Sequence, residues 1–293
     1  MGKSQQIAYL NGDFIPIEKA QISPQDRGFL FGDGVYEVIP VYSKRLFTFE
    51  PHLKRLKNSL AATDIMNPLD DDGWRKLLQK LVDIHPWPDQ FIYLQVTRGV
   101  QMQRDHLPAE DLTPTLYAYS NELKPVSDDI KTHGIKAVTL DDLRWQHCDI
   151  KAITLLPNIL MKMTAKQQGA DDAILIDRDG FVTEGTSSNV FILRDGKLQT
   201  PPQSAAILSG ITRQVILELA KEHSIPFSEA PLTLSDLEAA DEIWLTSSTK
   251  YALPVTSLNG RPVGNGQPGQ AWQKMQQHFE KAKQAHINRT LNV

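Results

Sequence analysis

Four short stretches hold residue types that could act on one ligand. In "CDIKAITLLPNIL" (148–160) a lone cation, Lys151, sits in mostly apolar company. Either its stem lies on apolar surface while its head reaches water, or its amine is kept partly from water. Desolvation favours the neutral form, a nucleophile and Schiff-base former. "TEGTSSNV" (183–190) crowds small hydroxyl residues after a strand. It reads as a plain turn or as donors that approach an anion or ring closely. "LSGITR" (208–213) places Gly210 at a helix opening, an ordinary helix start or a phosphate site made of free N–H groups. "LTSSTK" (245–250), a second hydroxyl cluster at a strand end, has the same two readings. An aldehyde cofactor bearing a phosphate would use all of them: a lysine for the aldehyde, an acid at its pyridine nitrogen and a phosphate cup. Lys151, Glu184 and Gly210-Ile211-Thr212 could fill those places. Glu184 would then be ionised beside a protonated ring nitrogen, which makes the ring an electron sink.

Other chemistries find less support. No G-x-G-x-x-G or Walker A pattern occurs, and neither C-x-x-C nor H-E-x-x-H is present to hold a metal. The eight histidines are scattered, so no metal is expected. A net charge of −4 without a basic block argues against nucleic acid. One cysteine, Cys148, excludes a disulfide within the chain and fits a reducing compartment; it reads as a small core residue. "MGKSQQIAYL" lacks a signal-type apolar segment, and no apolar run is long enough to span a membrane. The expectation is a soluble, cytoplasmic protein.

These residues need a scaffold, and 293 residues with 41% hydrophobic content suffice for two packed domains. Asn11-Gly12 marks a hairpin in "IAYLNGDFIPI" (7–17). "GVYEVIPVY" (34–42) reads as a strand, with "RLFTF" (45–49) as its partner. Leu53, Leu56 and Leu60 share one helical face over 50–63, and Trp74, Leu77, Leu78 and Leu81 another over 73–84. Strands are predicted at 91–97 and 115–120. A first, smaller α+β domain is predicted over 1–120, a polar linker with Pro125 over 121–128 and a larger domain over 129–293. In the second half, strands are predicted at 134–140, 173–177, 189–193 and 242–247. Helices are predicted after Pro157, over 210–223 and over 269–285. Without a βαβ rhythm the class is α+β.

Taken in order, "DRGFLFGDGVYEV" (26–38), "HLKRL" (52–56), "YLQVTRG" (93–99), "RWQHCDIK" (144–151), "VTEGTSSNVF" (182–191), "ILSGITR" (207–213) and "LTSSTKYALPV" (245–255) cover nearly the whole chain. In them the chain resembles the fold-type IV, class-IV pyridoxal-phosphate enzymes, and among these the D-amino acid transaminases. The resemblance implies a two-domain α+β enzyme with pyridoxal 5′-phosphate between the domains. Lys151 stands at the family's Schiff-base lysine and Glu184 at the glutamate of the pyridine nitrogen. Arg55 matches an arginine at the cofactor phosphate, Ile211 and Thr212 backbone phosphate donors, and Ser248 a further phosphate contact. Leu208 matches a residue packed on the ring; Ser187 and Ser188 match small residues near it. Tyr36 matches a tyrosine at the substrate carboxylate. Arg104 and His106 in "QRDH" resemble an Arg-x-His carboxylate trap that reaches a neighbouring subunit's site, which implies a homodimer. The loop before that pair is one residue longer than the family's pattern. The implied reaction is ping-pong transfer of an amino group from D-alanine to 2-oxoglutarate. Branched-chain aminotransferases and aminodeoxychorismate lyase share Lys151 and Glu184, so those two residues leave the choice of activity open.

Overall fold

The computed structural model describes residues 6–291, the last three as backbone only. Residues 1–5 of the amino-terminal stretch and 292–293 at the end of the expected second domain lie outside the described residues. The chain divides into two compact units.

The first unit comprises Met1–Lys124, Ile150–Thr154 and Ile287–Val293. Its elements are β1 (Ile7–Leu10), β2 (Asp13–Pro16), α1 (Arg27–Phe31), β3 (Gly34–Tyr42), β4 (Arg45–Leu46), α2 (Phe49–Ala62), α3 (Asp71–Ile84), β5 (Gln90–Thr97) and β6 (Thr115–Glu122). Among the described residues its sheet has six strands in the order β2-β1-β6-β5-β3-β4. Alternation along the strands separates two faces. Val35, Ile39, Val41, Ile92, Leu94 and Val96 point at Leu53, Leu56 and Leu60 of α2 and at Trp74, Leu78 and Leu81 of α3. On the opposite face Tyr36, Tyr93 and Tyr119 stack in a row with centroids 5.8 and 5.3 Å apart. The expected partner strand over 45–49 is shorter than predicted. Thr48 takes a left-handed conformation (φ 51), which breaks the extended run, and Phe49 opens α2. α3 begins earlier than expected because Asp70 accepts the Gly73 N–H at 2.7 Å, a side-chain cap that periodicity does not reveal.

The second unit comprises Pro125–Asp149 and Leu155–His286. Residues 150–154, expected in the larger domain, therefore group with the first unit; a pairing with β3, described below, draws them there. The expected linker includes the last residues of β6 and the start of α4 (Asp128–His133). The remaining elements are β7 (Ile135–Asp141), α5 (Leu156–Gln167), β8 (Asp172–Ile176), β9 (Val182–Gly185), β10 (Asn189–Arg194), β11 (Lys197–Thr200), α6 (Ile211–Glu222), β12 (Phe227–Glu229), α7 (Leu234–Glu238), β13 (Glu242–Ser247), β14 (Tyr251–Leu258), β15 (Arg261–Pro262) and α8 (Gln270–Leu291). The described sheet runs β12-β11-β10-β13-β14-β7-β8-β9, with β15 on β14. Two crossovers escape the sequence reading: β7 and β8 pair in parallel through α5, and β11 and β12 through α6. Strand β14 was not predicted either. Tyr251 enters it at φ 56, an uncommon conformation for a bulky residue. Among the described residues no helix is long and apolar enough to cross a membrane.

Two glycines of the first unit share an unusual backbone and differ in surroundings. Gly99 (φ +104) closes β5, and a Cβ there would overlap the Thr113 carbonyl oxygen; Gly12 (φ +115) has open space. Positive φ alone costs an alanine about 1–3 kcal/mol. Gly99→Ala should therefore lower the urea midpoint clearly more than Gly12→Ala. Equal losses would show that Thr113 gives way freely.

Candidate active site

In the first unit, residues 150–153 lie along the free edge of β3. The Tyr36 N–H donates to the Lys151 carbonyl at 2.9 Å and the Ile153 N–H to the Gly34 carbonyl at 3.1 Å. Val35 and Ala152 form an antiparallel bridge. Lys151 is therefore opposite Tyr36, and directly opposed residues share a face. Its ammonium lies 4.1 Å from the Tyr36 ring centroid. The Lys151 N–H donates to Ser59 Oγ of α2 at 3.1 Å, which fixes the stem from the helix side. Among the described residues the Lys151 amine has no hydrogen-bond or ion-pair partner, and the residue is only half-buried. The structure thus brings Lys151 and Tyr36 together.

The next residue of β3 faces the other way. Glu37 is fully buried and receives Arg55 as a fork, Nε to Oε1 at 2.7 Å and Nη2 to Oε2 at 2.8 Å. His52 Nδ1 lies 2.8 Å from Oε2. Burial pushes the Glu37 carboxyl up, but the Arg55 charge and the bonds from Arg55 and His52 outweigh it and hold the pKa well below the ordinary range. Burial pulls the His52 pKa down despite Glu37. The ring is then neutral and donates Nδ1–H to the carboxylate. Arg55, expected at a phosphate, is thus committed in part to a carboxylate. Arg104 and His106 sit on an exposed loop beside Phe31, Arg104 at 4.9 Å and His106 at 5.5 Å from its ring centroid.

In the second unit Glu184 is the hub. It sits in β9, buried, and Arg144 Nη1 binds Oε1. Oε2 accepts the Leu208 N–H at 3.0 Å and Asn189 Nδ2 at 3.2 Å. Arg144 also grips Asp142, with Nη2 to Oδ2 at 2.6 Å. Burial works against the Arg144 charge, yet Asp142 and Glu184 raise its pKa, so the group stays ionised. Asn189 Nδ2 donates in addition to the Leu208 carbonyl at 2.9 Å. This knot seats the chain that enters α6. Gly210 precedes that helix with no side-chain cap, and no acid occupies the first turn. A Cβ on Gly210 would overlap Asn189 Oδ1, so a larger residue there would have to displace the Asn189 amide from its bonds to Glu184 and Leu208. The leading N–H groups of Ile211 and Thr212 have no carbonyl within the helix to bind. Ser188 Oγ is buried and without a partner among the described residues. A bare helix start, an orphaned hydroxyl and a fixed carboxylate suit a ring nitrogen and a phosphate. Ser187 is exposed, and Ser248 is half-buried in the turn after β13.

Several members of these clusters escaped the sequence reading. Glu37 had a signal: a charge at a core-facing position of an apolar strand. Asp142 and Arg144 had none stronger than their two-residue spacing. Cys148 is buried, and its thiol is pushed up to about 11, first by burial, which suits its predicted inert role.

The two shifts make the first unit sensitive to acid. His52 has a folded pKa below its reference of 6.5, so unfolding takes up a proton as pH falls through 6.5 and stability drops. Glu37 is depressed from 4.5; its contribution is complete above that value and is lost as pH falls toward the folded pKa. The urea midpoint should therefore fall between about pH 7 and about pH 5, and His52→Gln, which keeps an N–H for Glu37, should fall less over that range. Parallel pH dependences in the two proteins would contradict the assignment to His52.

The sequence matches the amino-transferase class IV family over residues 34–258. It is 42% identical over 260 residues to the D-alanine aminotransferase of Bacillus licheniformis, covering 88% of this chain and 90% of that one. The fold superposes on the fold IV-transaminase of Curtobacterium pusillum with a TM-score of 0.77 at 28% identity, over 85% of this chain and 87% of that one. It superposes on the Escherichia coli branched-chain amino acid aminotransferase with a TM-score of 0.88 at 23% identity, over 94% of each; at that identity the likeness concerns the fold. Matched by that family model over most of its length and by a relative at 42% identity, the chain belongs to the class IV aminotransferase family.

Proposed function

We propose that this chain transfers amino groups between D-amino acids and 2-oxo acids with pyridoxal 5′-phosphate, taking D-alanine and 2-oxoglutarate to pyruvate and D-glutamate in ping-pong fashion. The observation that carries the D-amino acid reading is the 42% identity to a D-alanine aminotransferase over 88% of the chain. The second unit's cradle fits the cofactor: Ile211 and Thr212 N–H groups with Ser248 for the phosphate, Leu208 and Ser188 beside the ring, and Glu184 at its nitrogen. When bound, the cofactor supplies an aldehyde and a protonated ring that accepts electrons from the substrate Cα. Arg144 binds and orients the Glu184 carboxylate, which would hold a proton on that nitrogen. Lys151 would hold the aldehyde through its amine and, with Nζ free, would take the proton from the substrate Cα; tethering gives it a high effective concentration. Tyr36 borders its path, and Arg104 with His106 grips the α-carboxylate. Which hydrogen faces Lys151 depends on where that carboxylate is held, and this sets the enantiomer.

A homodimer belongs to this reading. On α5, Leu156, Ile159, Leu160 and Met163 are 65, 54, 49 and 53% exposed at i, i+3, i+4 and i+7, an apolar stripe of the kind that marks interfaces. A second copy covering it would let Arg104 and His106 serve the neighbouring site. One buried cysteine fits a reducing compartment, and we assign the protein to the cytoplasm.

Steady-state assays with 2-oxoglutarate should show turnover of D-alanine far above that of L-leucine; the reverse would favour a branched-chain activity. Lys151→Ala should lose nearly all turnover. Retention within tenfold, only ~1.4 kcal/mol of barrier, would remove Lys151 from the chemistry. By sedimentation the wild type should be a dimer and Ile159→Asp shifted toward monomer. A monomeric wild type would refute the shared-site arrangement.

A further inference from the structure

Arg27 opens α1 with only 4% of its surface exposed, and nothing in the chemistry above uses it. Its donors converge on the loop that carries Arg104 and His106. Nη1 donates to the Asp105 carbonyl at 2.6 Å and to Gln101 Oε1 at 3.2 Å; Nη2 donates to the His106 carbonyl at 2.8 Å. Nε is held by Asp33 Oδ2 at 2.7 Å. Asp33 is fixed in turn by Arg98, Nε at 2.8 Å and Nη2 at 3.0 Å. The Arg98 guanidinium also caps the Thr63 and Asp64 carbonyls at 2.7 Å each. Phe31 completes the arrangement: the guanidinium carbons of Arg27 and Arg104 each lie 4.9 Å from its ring centroid.

We propose that Arg27 and Phe31 are positioning residues for substrate binding: Arg27 ties down the Asp105 and His106 carbonyls of the loop that carries Arg104 and His106, and Phe31 seats the Arg104 guanidinium. This rests on the reading of that pair as the α-carboxylate grip. An exposed arginine on an untethered loop must be ordered each time it binds, which weakens the complex. A guanidinium fork can hold both carbonyls while keeping its salt bridge; an ammonium lacks that planar fork. The ring face attracts both cations and limits the rotamers of Arg104.

The test compares holoenzymes of wild type, Arg27→Lys, Phe31→Leu and Arg104→Ala. Each is measured for D-alanine KM, for inhibition by propionate, for kcat and for cofactor content by absorbance. Arg27→Lys keeps a charge for Asp33, and Phe31→Leu keeps an apolar side chain. Both should raise KM and the propionate inhibition constant together, by roughly tenfold for the loss of a charge-assisted contact, with much smaller changes in kcat and cofactor content. If Arg104→Ala raises both constants while Arg27→Lys and Phe31→Leu match wild type, the positioning role is overturned and the grip stands. If Arg104→Ala itself changes neither constant, the grip reading fails and the positioning role falls with it. A loss of kcat and cofactor at constant KM marks general damage and also overturns the proposal. Should Arg27→Lys not fold, Phe31→Leu decides by the same criteria.

Discussion

A short backbone pairing between residues far apart in sequence determines where Lys151 stands. The edge of β3 takes up residues 150–153 through Tyr36 to Lys151 and Ile153 to Gly34, with Ser59 binding the Lys151 N–H from α2. Strand pairing fixes which face each side chain takes, and a slip of one residue would turn Lys151 away from Tyr36 toward the core. Position is therefore set by main-chain bonds, while the Lys151 side chain retains its rotamers. That division would suit the role proposed for Lys151, holding an aldehyde and then carrying a proton.

Each unit also buries an acid with an arginine. Glu37 is paired with Arg55 and His52, Glu184 with Arg144. Desolvation makes such pairs a doubtful source of stability, so orientation is the better account of what they do. Glu37 binds α2 to β3 next to Tyr36. Glu184 gathers the Leu208 N–H and the Asn189 amide, and that knot determines where α6 begins. The Asn189 amide occupies the space that a side chain at 210 would take.

Much of this was legible in the sequence, for local reasons. β3 occupies the predicted 34–42, because Val, Ile and Tyr alternate there between glycine and a turn. Lys151 and Glu184 stood out by residue type against their neighbours, and Gly210 by its place before a helical pattern. What stayed hidden was non-local. Nothing in residues 150–154 announces pairing with a strand more than a hundred positions earlier. Nothing in the sequence around Arg27 points to its fork on the Asp105 and His106 carbonyls. The short strand β9 was read as the start of a turn, since small hydroxyl residues suit both. Tyr251 enters β14 with a backbone that its side chain disfavours. Ser187, Ser188 and Ser248 show in the sequence only as members of small hydroxyl clusters, and the Arg104–His106 pair only through the family resemblance.

The central claim is that Lys151 is the amine that engages the aldehyde cofactor. Borohydride reduction of the protein with pyridoxal 5′-phosphate, followed by proteolysis and mass spectrometry, tests it without reference to turnover. The account predicts a phosphopyridoxyl group on Lys151, with the other lysines unmodified once excess cofactor is removed before reduction. A stable modification at another lysine, or an unmodified Lys151 in a cofactor-loaded protein, would contradict it.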